Sequence, residues 1–438
     1  MTNGIPTTRL GGQHDGLMLQ ALENHSLPIV TLAIMLRAGC DQDEPGCSGV
    51  SNLTSSALDA GTATSDLYAL AERTEFLGTS LHVSAMHDGA SILCSTLTRH
   101  LDAVVGVIGE ILGGASFPDH EVERLRSSQV TTLMQIHDRP GLRAAQALGS
   151  LLFGREHAYG RPAAGTKQDL AAMSSADTRT FFRRRYRPSG ALAVAAGDIT
   201  IGEWKSICER HLAGWEGTNA APLPQPAITT THTRRIHLID RPSTPQAEIR
   251  MGCISLKRNH PDYLAASVLN HCLGGQFSSR LNKVLREQRG LTYGVWSSFS
   301  ALRTGGSFVQ GGAFQTEKAD EALQGLLDEV ERIVGEGISM EELLSAQGSM
   351  AGNFLRASET GAHLVSRRQA VYLYDLPDDY HETYLERLRG LTREEILRAA
   401  RRWIQPEAMI TVVVGDAAVL RPRLATLHLG DVVDYDDA

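Results

Sequence analysis

Two short apolar segments that end in Gly-Asp constrain the fold of this chain most. One runs from Ala191 to Asp198 and the other from Ile410 to Asp416. Each follows an arginine-rich helical pattern and a turn with proline, Tyr-Arg-Pro in the first case and Ile-Gln-Pro in the second. Continuous apolar runs of this length are typical of buried strands. Their matching surroundings predict a duplicated α+β unit, with one copy in each half of the chain.

A proline-rich stretch separates the two predicted copies. Residues 220–226, Ala-Ala-Pro-Leu-Pro-Gln-Pro, disfavour helix and have little to bury. Apolar strands are predicted near the start of each copy, at Ile29 to Leu36 and at Ala247 to Ile254. A length of 438 residues suits two domains. We therefore predict an N-terminal domain over residues 1–219, a linker over 220–235 and a C-terminal domain over 236–438.

Local signals add a few elements. The apolar spacing from Asp119 to His137 predicts a helix, and Thr392 with Glu395 predicts a capping box at the start of another. Two apolar runs around residues 303–307 predict a β-hairpin over 291–314. The acidic end of the chain, Asp431 to Asp436, is expected to fray.

Composition excludes several classes of protein. A net charge of −8 and a pI near 6.1 argue against a general nucleic-acid binder. No apolar run approaches the roughly 18 residues of a membrane span. The first residues lack a basic start followed by an apolar run, so we expect no signal peptide and a cytoplasmic location. The six cysteines form no CxxC pair, and free thiols are expected.

An arginine and a tyrosine seven residues apart, Arg286 and Tyr293, form the most informative local pattern. Ser278 or Ser279 is predicted to cap a helix that runs to about Gln288 and stops at Gly290. Tyr293 then falls in the next strand, on the face of Val295 and Phe299, where it and Arg286 can converge on one point. Without further context, such a pair also fits a purely structural turn. Arg280 is expected to pack or pair at the start of the helix. Gly274-Gly275 is expected to allow a close approach of the backbone to a neighbouring segment or to a peptide.

The stretch from Gly274 to Val295 resembles the substrate-binding half of pitrilysin-type (insulinase, inverted zincin) metallopeptidases, in their processing-peptidase-like branch. In that family an Arg seven residues before a Tyr reaches into the active site, and Arg286 and Tyr293 match that pair. Residues 157–198 and 376–416 resemble the closing parts of the family's two domains. The resemblance implies an α+β fold of two homologous domains, each a mainly antiparallel sheet packed with helices.

The zinc motif of the family is missing from this chain. Active members carry His-x-x-Glu-His on a helix, with a further Glu ligand about 76 residues later. By this register Asn52 and Ser56 stand at the two His positions and Ser55 at the Glu position, and Thr132 lies where the last ligand is expected. Amide and hydroxyl side chains do not replace imidazole and carboxylate as zinc ligands. The 16 histidines include no HxH or HxxxH pair. We therefore expect no metal and no other cofactor in this chain.

Taken together, the resemblance implies a non-zinc subunit of a heteromeric zinc metallopeptidase, inactive alone. A partner subunit of the same family with HxxEH would supply the zinc, in a heterodimer or a dimer of heterodimers. The implied substrate is an unfolded peptide, and peptide maturation is a fitting setting. In the family, the phenol that Tyr293 matches hydrogen-bonds the developing oxyanion, and the guanidinium that Arg286 matches binds a peptide carbonyl or carboxylate.

Two other hypotheses on the function of the chain remain. One is a purely structural or peptide-binding subunit without a catalytic contribution, similar to the core proteins of respiratory complexes. The other is a homodimeric peptide-binding protein. A purely structural chain has no chemical need for both Arg286 and Tyr293, which favours the split peptidase. Substitution of this pair separates the alternatives, because only a shared active site loses turnover while assembly persists.

Overall fold

The computed structural model of the protein describes residues 8–14, 16–229 and 233–436, the side chains of 8–14 and of His137 excepted. The first residues, for which the absence of a signal peptide was predicted, lie mostly outside the described residues. The chain divides into two compact units. The first unit comprises Met1–Leu133, Pro162–Gln225 and Asn353–Glu382, and the second comprises Met134–Arg161, Pro226–Gly352 and Thr383–Ala438.

The first unit contains a six-stranded sheet. Its strands are β1 Thr8–His14, β2 Leu17–Glu23, β3 Ile29–Leu36, β4 His82–Ala85, β5 Ala90–Leu97 and β6 Leu192–Gly197. They lie in the order β1-β2-β6-β3-β5-β4. All neighbours are antiparallel except β2 and β6. Strands β3 and β6 are buried almost throughout, which agrees with their continuous apolar sequences.

The second unit repeats this plan. Its strands are β7 Arg235–Asp240, β8 Gln246–Ser255, β9 Val295–Ala301, β10 Gly306–Gln315, β11 Ile410–Gly415 and β12 Val432–Asp434. They lie in the order β12-β7-β11-β8-β10-β9, so the five strands from β7 to β11 follow the same arrangement as β2 to β6. Parallel pairing is confined to β7 with β11 and β12. The predicted α+β fold of two homologous, mainly antiparallel units is confirmed.

Helices cover the sheets. The α-helices are α1 Val50–Ser56, α2 Leu67–Phe76, α3 Leu101–Gly114, α4 Asp119–Asp138, α5 Pro140–Phe153, α6 Lys167–Ala172, α7 Ser175–Arg185, α8 Ile201–His211, α9 Tyr263–Leu273, α10 Ala319–Glu336, α11 Met340–Ala357, α12 Gly361–Leu373, α13 Tyr384–Gly390, α14 Arg393–Trp403 and α15 Ala417–Ala425. A π-helix spans Asn282–Gln288. Short 3-10 turns lie at Cys40–Gln42, Thr98–His100, Ala158–Gly160, Thr316–Lys318 and Pro406–Ala408. None of the described helices is long and apolar enough to cross a membrane.

Several local predictions are confirmed. Thr392 and Glu395 form a reciprocal capping box at the start of α14, because each side chain bonds the backbone N–H of the other residue. Strands β9 and β10 form the predicted hairpin, in register from Val295 opposite Gly312 to Ala301 opposite Gly306. The six cysteines are free, and all except Cys47 are buried.

Each unit takes one helix from the other half of the sequence. Helix α5 packs on β8 and β11 of the second unit, through residues that include Leu148 and Val412. Helix α12 packs on β3 and β6 of the first unit, through residues that include Leu364 and Val194. The predicted ranges 1–219 and 236–438 therefore differ from the units of the structure. A sheet with apolar residues on both faces needs a second covering layer, which a distant segment supplies here.

The acidic end of the chain was expected to fray, and the structure contradicts this. Val432–Asp434 pairs in parallel with β7 as the outermost strand of the second sheet. Tyr435 donates its backbone N–H to Leu238, and its ring lies 5.7 Å from the Arg143 guanidinium carbon. Two valines and a tyrosine among the acidic residues therefore give this segment enough apolar area and backbone pairing to order it.

Candidate functional site

Arg286 and Tyr293 lie in the second unit, on the connection between α9 and β9. The connection starts at Gly274, continues through the π-helix and ends at the turn 289–294. Gly290 has φ +60°, so the predicted helix stop at this glycine is confirmed. Arg286 stands in the second half of the π-helix, and Tyr293 follows the turn, two residues before β9.

The helix that carries Arg286 differs from the prediction. It is a π-helix that begins after Leu281, and neither Ser278 nor Ser279 caps it with a side chain. The backbone N–H of Arg289 reaches back five residues to the Val284 carbonyl oxygen at 3.0 Å. A π-helix has one more residue in its hydrogen-bonded turn than an α-helix, and such segments are frequent at functional sites. The wider turn changes the direction in which Arg286 leaves the helix.

Asn282 fixes this connection from inside. Its side-chain nitrogen donates to the Val295 carbonyl oxygen at 2.8 Å and to the Gln276 carbonyl oxygen at 3.3 Å. Its side-chain oxygen accepts the Val295 N–H at 3.5 Å. One buried amide therefore ties the loop before the π-helix to the strand after Tyr293, which holds the backbone on both sides of the candidate site.

The glycine pair before the π-helix allows a close approach to a neighbouring strand. The backbone N–H of Ser297 in β9 donates to the Gly274 carbonyl oxygen at 3.2 Å. A Cβ atom on Gly274 would lie 2.5 Å from that Ser297 nitrogen, so no larger residue fits without a shift. Of the two predicted partners of this loop, a neighbouring segment or a peptide, the structure shows the neighbouring segment.

Arg280 pairs as predicted. Its Nε and Nη2 atoms lie 2.6 and 2.7 Å from the two carboxylate oxygens of Glu342, and Nη2 also donates to the Gly337 carbonyl oxygen at 2.9 Å. The hydrogen bond to Glu342 raises the pKa of the Arg280 guanidinium. This two-point contact anchors the start of the π-helix to the loop and first turn of α11.

Arg286 rests on an aromatic ring that the sequence analysis did not single out. Its guanidinium carbon lies 4.0 Å from the centroid of the Phe277 ring, and that ring is 67% exposed. Within the described residues Nη1 of Arg286 is buried without a hydrogen-bond partner. A guanidinium stacked on an exposed ring keeps a defined plane, so its remaining N–H groups are oriented before any ligand arrives.

Tyr293 is 93% exposed and lies outside the strand that was predicted to contain it. The hydroxyl of Thr292 donates to the Ala313 carbonyl oxygen at 2.6 Å and accepts the Gly294 N–H at 3.1 Å. These bonds turn the chain just before β9, so Tyr293 does not share the buried face of Val295. In the described structure no hydrogen bond or ring contact joins Tyr293 to Arg286, and the two flank the same turn.

The residues at the expected zinc-ligand positions lie in the first unit and do not suit zinc. In α1, Asn52 is half-buried, Ser56 is exposed, and the Ser55 hydroxyl is hydrogen-bonded to the Tyr186 hydroxyl at 2.8 Å. Burial raises the pKa of Tyr186, so this phenol stays neutral. In α4 the exposed Thr132 hydroxyl donates to a carbonyl of its own helix. Across the described residues no group of three or more His, Cys, Asp or Glu side chains is arranged to hold a metal ion.

The fold and the polar residues at the zinc-ligand positions define a class of protein, a two-unit member of a metallopeptidase fold that lacks the zinc ligands. Residues 172–350 match the family model described as the peptidase M16 inactive domain. Over this segment the chain is similar to the M16 peptidase family.

Relatives and solved structures show the same similarity. The crystal structure of a peptidase M16 inactive domain from Pseudomonas fluorescens has a TM-score of 0.88 and 26% identity, over 93% of this chain and 98% of that chain. An uncharacterized zinc protease of Streptomyces coelicolor is 24% identical over 419 residues, 94% of this chain and 90% of the relative. The non-peptidase homolog YmxG of Helicobacter pylori is 22% identical over 379 residues, 85% of this chain and 86% of the relative. The matching model and the Pseudomonas structure carry the description inactive domain, and the Helicobacter relative carries the name non-peptidase homolog, whereas the Streptomyces relative carries the name zinc protease.

Proposed function

We propose that this chain is the non-zinc subunit of a heteromeric zinc metallopeptidase, to which it contributes Arg286 and Tyr293. A second M16 chain with an intact HxxEH motif carries the zinc and the general base, and this chain alone is inactive. The substrate is an unfolded peptide. One observation carries the proposal. Tyr293 is exposed and has no partner among the described residues, and it flanks the same turn as Arg286, whose guanidinium is stacked on Phe277, whereas polar residues stand at the zinc-ligand positions.

Tyr293 is suited to donate a hydrogen bond to a bound peptide. Its phenol is 93% exposed and has no partner within the described residues, so no internal hydrogen bond must break. In peptide hydrolysis the carbonyl oxygen becomes negative, and a phenol that reaches it stabilises the transition state more than the substrate. The bond from Thr292 to the Ala313 carbonyl oxygen fixes the turn from which the phenol extends.

Arg286 is suited to bind and orient the peptide. A guanidinium carries its charge at any physiological pH and can donate two parallel hydrogen bonds to a carboxylate or one to a peptide carbonyl. Stacking on Phe277 keeps the plane of the group fixed, so its other N–H groups are oriented before a ligand binds. The entropy of ordering a free arginine side chain is largely avoided in this way.

The test is reconstitution with the HxxEH-bearing M16 protein from the same organism. We expect chelator-sensitive cleavage of unfolded peptides by the pair and none by this chain alone. Tyr293→Phe removes only one hydroxyl, and it is expected to lower kcat/KM by about 100-fold, as loss of one oxyanion donor does. Arg286→Lys is expected to lower it as well, because an ammonium cannot replace a stacked, two-point donor.

Two matched variants control for surface effects. Tyr68→Phe alters another exposed tyrosine, which lies in the first unit and is 79% exposed. Arg258→Lys alters another stacked arginine, whose guanidinium carbon is 3.8 Å from the Tyr263 ring. Neither should change turnover. Full turnover in Arg286→Lys and Tyr293→Phe complexes that assemble normally would contradict the proposal and support a purely structural subunit.

A further inference from the structure

A row of side chains crosses three strands of the second sheet close to Tyr293. Trp296 on β9 pairs with Gly311 on β10, and Gly311 pairs with Arg250 on β8. Directly paired residues point to the same face of a sheet, so Trp296 and Arg250 share a face across a residue without a side chain. The Arg250 guanidinium carbon lies 4.6 Å from the Trp296 ring centroid.

Gly311 makes this contact possible. A Cβ atom at Gly311 would lie 3.1 Å from Nη1 of Arg250 and 2.1 Å from the Ile249 carbonyl oxygen. The Arg250 side chain therefore passes over the glycine to reach the indole. Glycine in the middle of a strand often marks such a close approach.

Arg250 is held firmly under the ring. Its side chain is only 13% exposed, and Nη2 lies 2.6 Å from a carboxylate oxygen of Glu248. Gly141, at the start of α5, packs against the same pair, since a Cβ there would lie 3.2 Å from Nη2 of Arg250. Nε and Nη1 are buried without hydrogen-bond partners in the described structure. The Trp296 indole is therefore the main contact of the Nε and Nη1 atoms of Arg250. This contact fixes the orientation of the Trp296 ring.

Trp296 offers the other side of its ring to solvent. It is 36% exposed, whereas Trp204 and Trp215 are at most 2% exposed. A large aromatic side chain that is both rigid and accessible loses little entropy on binding and is typical of binding hot spots. Gly294 stands two residues earlier, between Tyr293 and Trp296, and a Cβ atom there would meet nothing within 4 Å. The Cβ position of Gly294, between the two aromatic residues in the sequence, is therefore open.

We propose that Trp296 is a side-chain subsite for the peptide that Arg286 and Tyr293 bind, with Arg250 as its positioning residue. The subsite takes an aromatic or large aliphatic side chain near the scissile bond. It discriminates against lysine and arginine, because one face of the indole already contacts the Arg250 guanidinium and a second cation on the other face gains less from the same ring. This proposal rests on the proposed function for its location beside the reacting peptide bond.

The test measures binding and not cleavage. The complex with the HxxEH partner is held in a zinc chelator, and dye-labelled unfolded peptides that differ at one position near the scissile bond are titrated by fluorescence anisotropy. Peptides with Phe or Leu at that position are expected to bind about tenfold more tightly than the peptide with Lys. Trp296→Ala should remove the preference for Phe or Leu over Lys. Arg250→Gln should reduce the ratio of these affinities, because the Lys peptide should bind more tightly.

The matched control is Trp403→Phe. Trp403 is half-buried, and its Nε1 donates a hydrogen bond to Asp262 at 2.7 Å, so its indole contributes to the packing of the second unit. Trp403→Phe should leave the preference for Phe or Leu over Lys unchanged. Trp296→Phe, which keeps an apolar ring on β9, provides a second variant if the alanine protein does not fold. The Trp296→Phe complex should keep most of the affinity for the Phe peptide, and its loss of affinity should be smaller than that of the Trp296→Ala complex.

The two proposals fail separately. If the Trp296→Ala complex folds and binds the Phe and Lys peptides with the wild-type ratio of affinities, the subsite proposal is overturned, whatever Arg286 and Tyr293 do to turnover. If the preference depends on Trp296 while Arg286→Lys and Tyr293→Phe turn over peptide normally, the subsite is supported as a peptide-binding feature and the catalytic part of the proposed function fails.

Discussion

The side-chain amide of Asn282 donates a 2.8 Å hydrogen bond to the main-chain carbonyl of Val295, across the turn that separates Arg286 from Tyr293. This bond joins the π-helix directly to the first residue of β9. Because Asn282 is only 5% exposed, water does not replace it easily. The geometry of the candidate site therefore depends on a residue that does not itself face a ligand.

The first prediction concerns this bond. Asn282→Ala leaves the buried Val295 carbonyl without its partner, and we expect a loss of about 1–3 kcal/mol in the free energy of unfolding. Urea unfolding followed by circular dichroism measures the loss. Asn259→Ala, at an exposed position of the same unit, should change the midpoint little. An unchanged midpoint for Asn282→Ala would show that the amide does not hold the connection.

The second prediction concerns acid stability. Burial disfavours the charged form of Glu342, but hydrogen bonds from Arg280 and from the Ser339 backbone outweigh it and lower the pKa of Glu342 below its usual 4.5. The folded state therefore binds this proton more weakly than the unfolded state. The pair stabilises the fold fully above pH 4.5 and loses this contribution as the pH falls through the lowered pKa of Glu342.

The measurement is the urea midpoint as a function of pH, from neutral pH to below the usual glutamate pKa. Glu342→Gln should lower the free energy of unfolding by about 1–2 kcal/mol at neutral pH, a modest loss because the carboxylate is partly exposed. In this variant the urea midpoint should also fall less steeply as the pH is lowered. Glu341→Gln removes an exposed neighbouring carboxylate that makes no ion pair in the described structure, and its profile should follow the wild type. A Glu342→Gln profile parallel to the wild type would contradict the assignment.

The third prediction compares one substitution at two glycines. Gly311→Ala places a Cβ atom 2.1 Å from the Ile249 carbonyl oxygen and 3.1 Å from Arg250, so it should destabilise the second unit by about 1–3 kcal/mol. Gly348→Ala lies in the middle of α11, where an added Cβ meets nothing within 4 Å. It should stabilise by about 0.5–1 kcal/mol, because alanine reduces the entropy of the unfolded chain. Thermal unfolding of both variants checks the opposite signs, and a Gly311→Ala protein that is as stable as the wild type would contradict the packing described for Gly311.

Where the sequence carries a strong local signal, the structure agrees with it. The strand Ile29 to Leu36 appears with the predicted bounds because eight consecutive apolar or β-branched residues fit little else than a buried strand. The matching segments that end in Gly-Asp indicated the duplicated sheet. The residues of α1 that were assigned to the family's zinc-ligand positions rest on their position in the sequence alone, and the unsuitability of their side chains for zinc does not depend on packing.

The remaining features depend on contacts between distant residues. Over seven residues the apolar spacing of a π-helix resembles that of an α-helix, so the sequence of Asn282–Gln288 did not distinguish them. Tyr293 stays outside the strand because Thr292 bonds Ala313, a residue 21 positions away. Gly311 in the middle of β10 was the available signal for the Arg250–Trp296 contact, but a glycine does not reveal which side chain crosses it.

The exchange of helices between the two halves of the sequence allows a further prediction. Leu148 on α5 is 1% exposed and packs in the second unit, and Leu364 on α12 is 3% exposed and packs in the first. Each Leu→Ala change leaves a cavity and should cost about 2–5 kcal/mol. Native-state hydrogen exchange should show faster exchange in β8 and β11 for Leu148→Ala, and in β3 and β6 for Leu364→Ala, because local opening follows the packed unit and not the order of the sequence. Each variant is the control for the other, and a Leu148→Ala protein that loses protection first in β3 and β6 would refute the exchange.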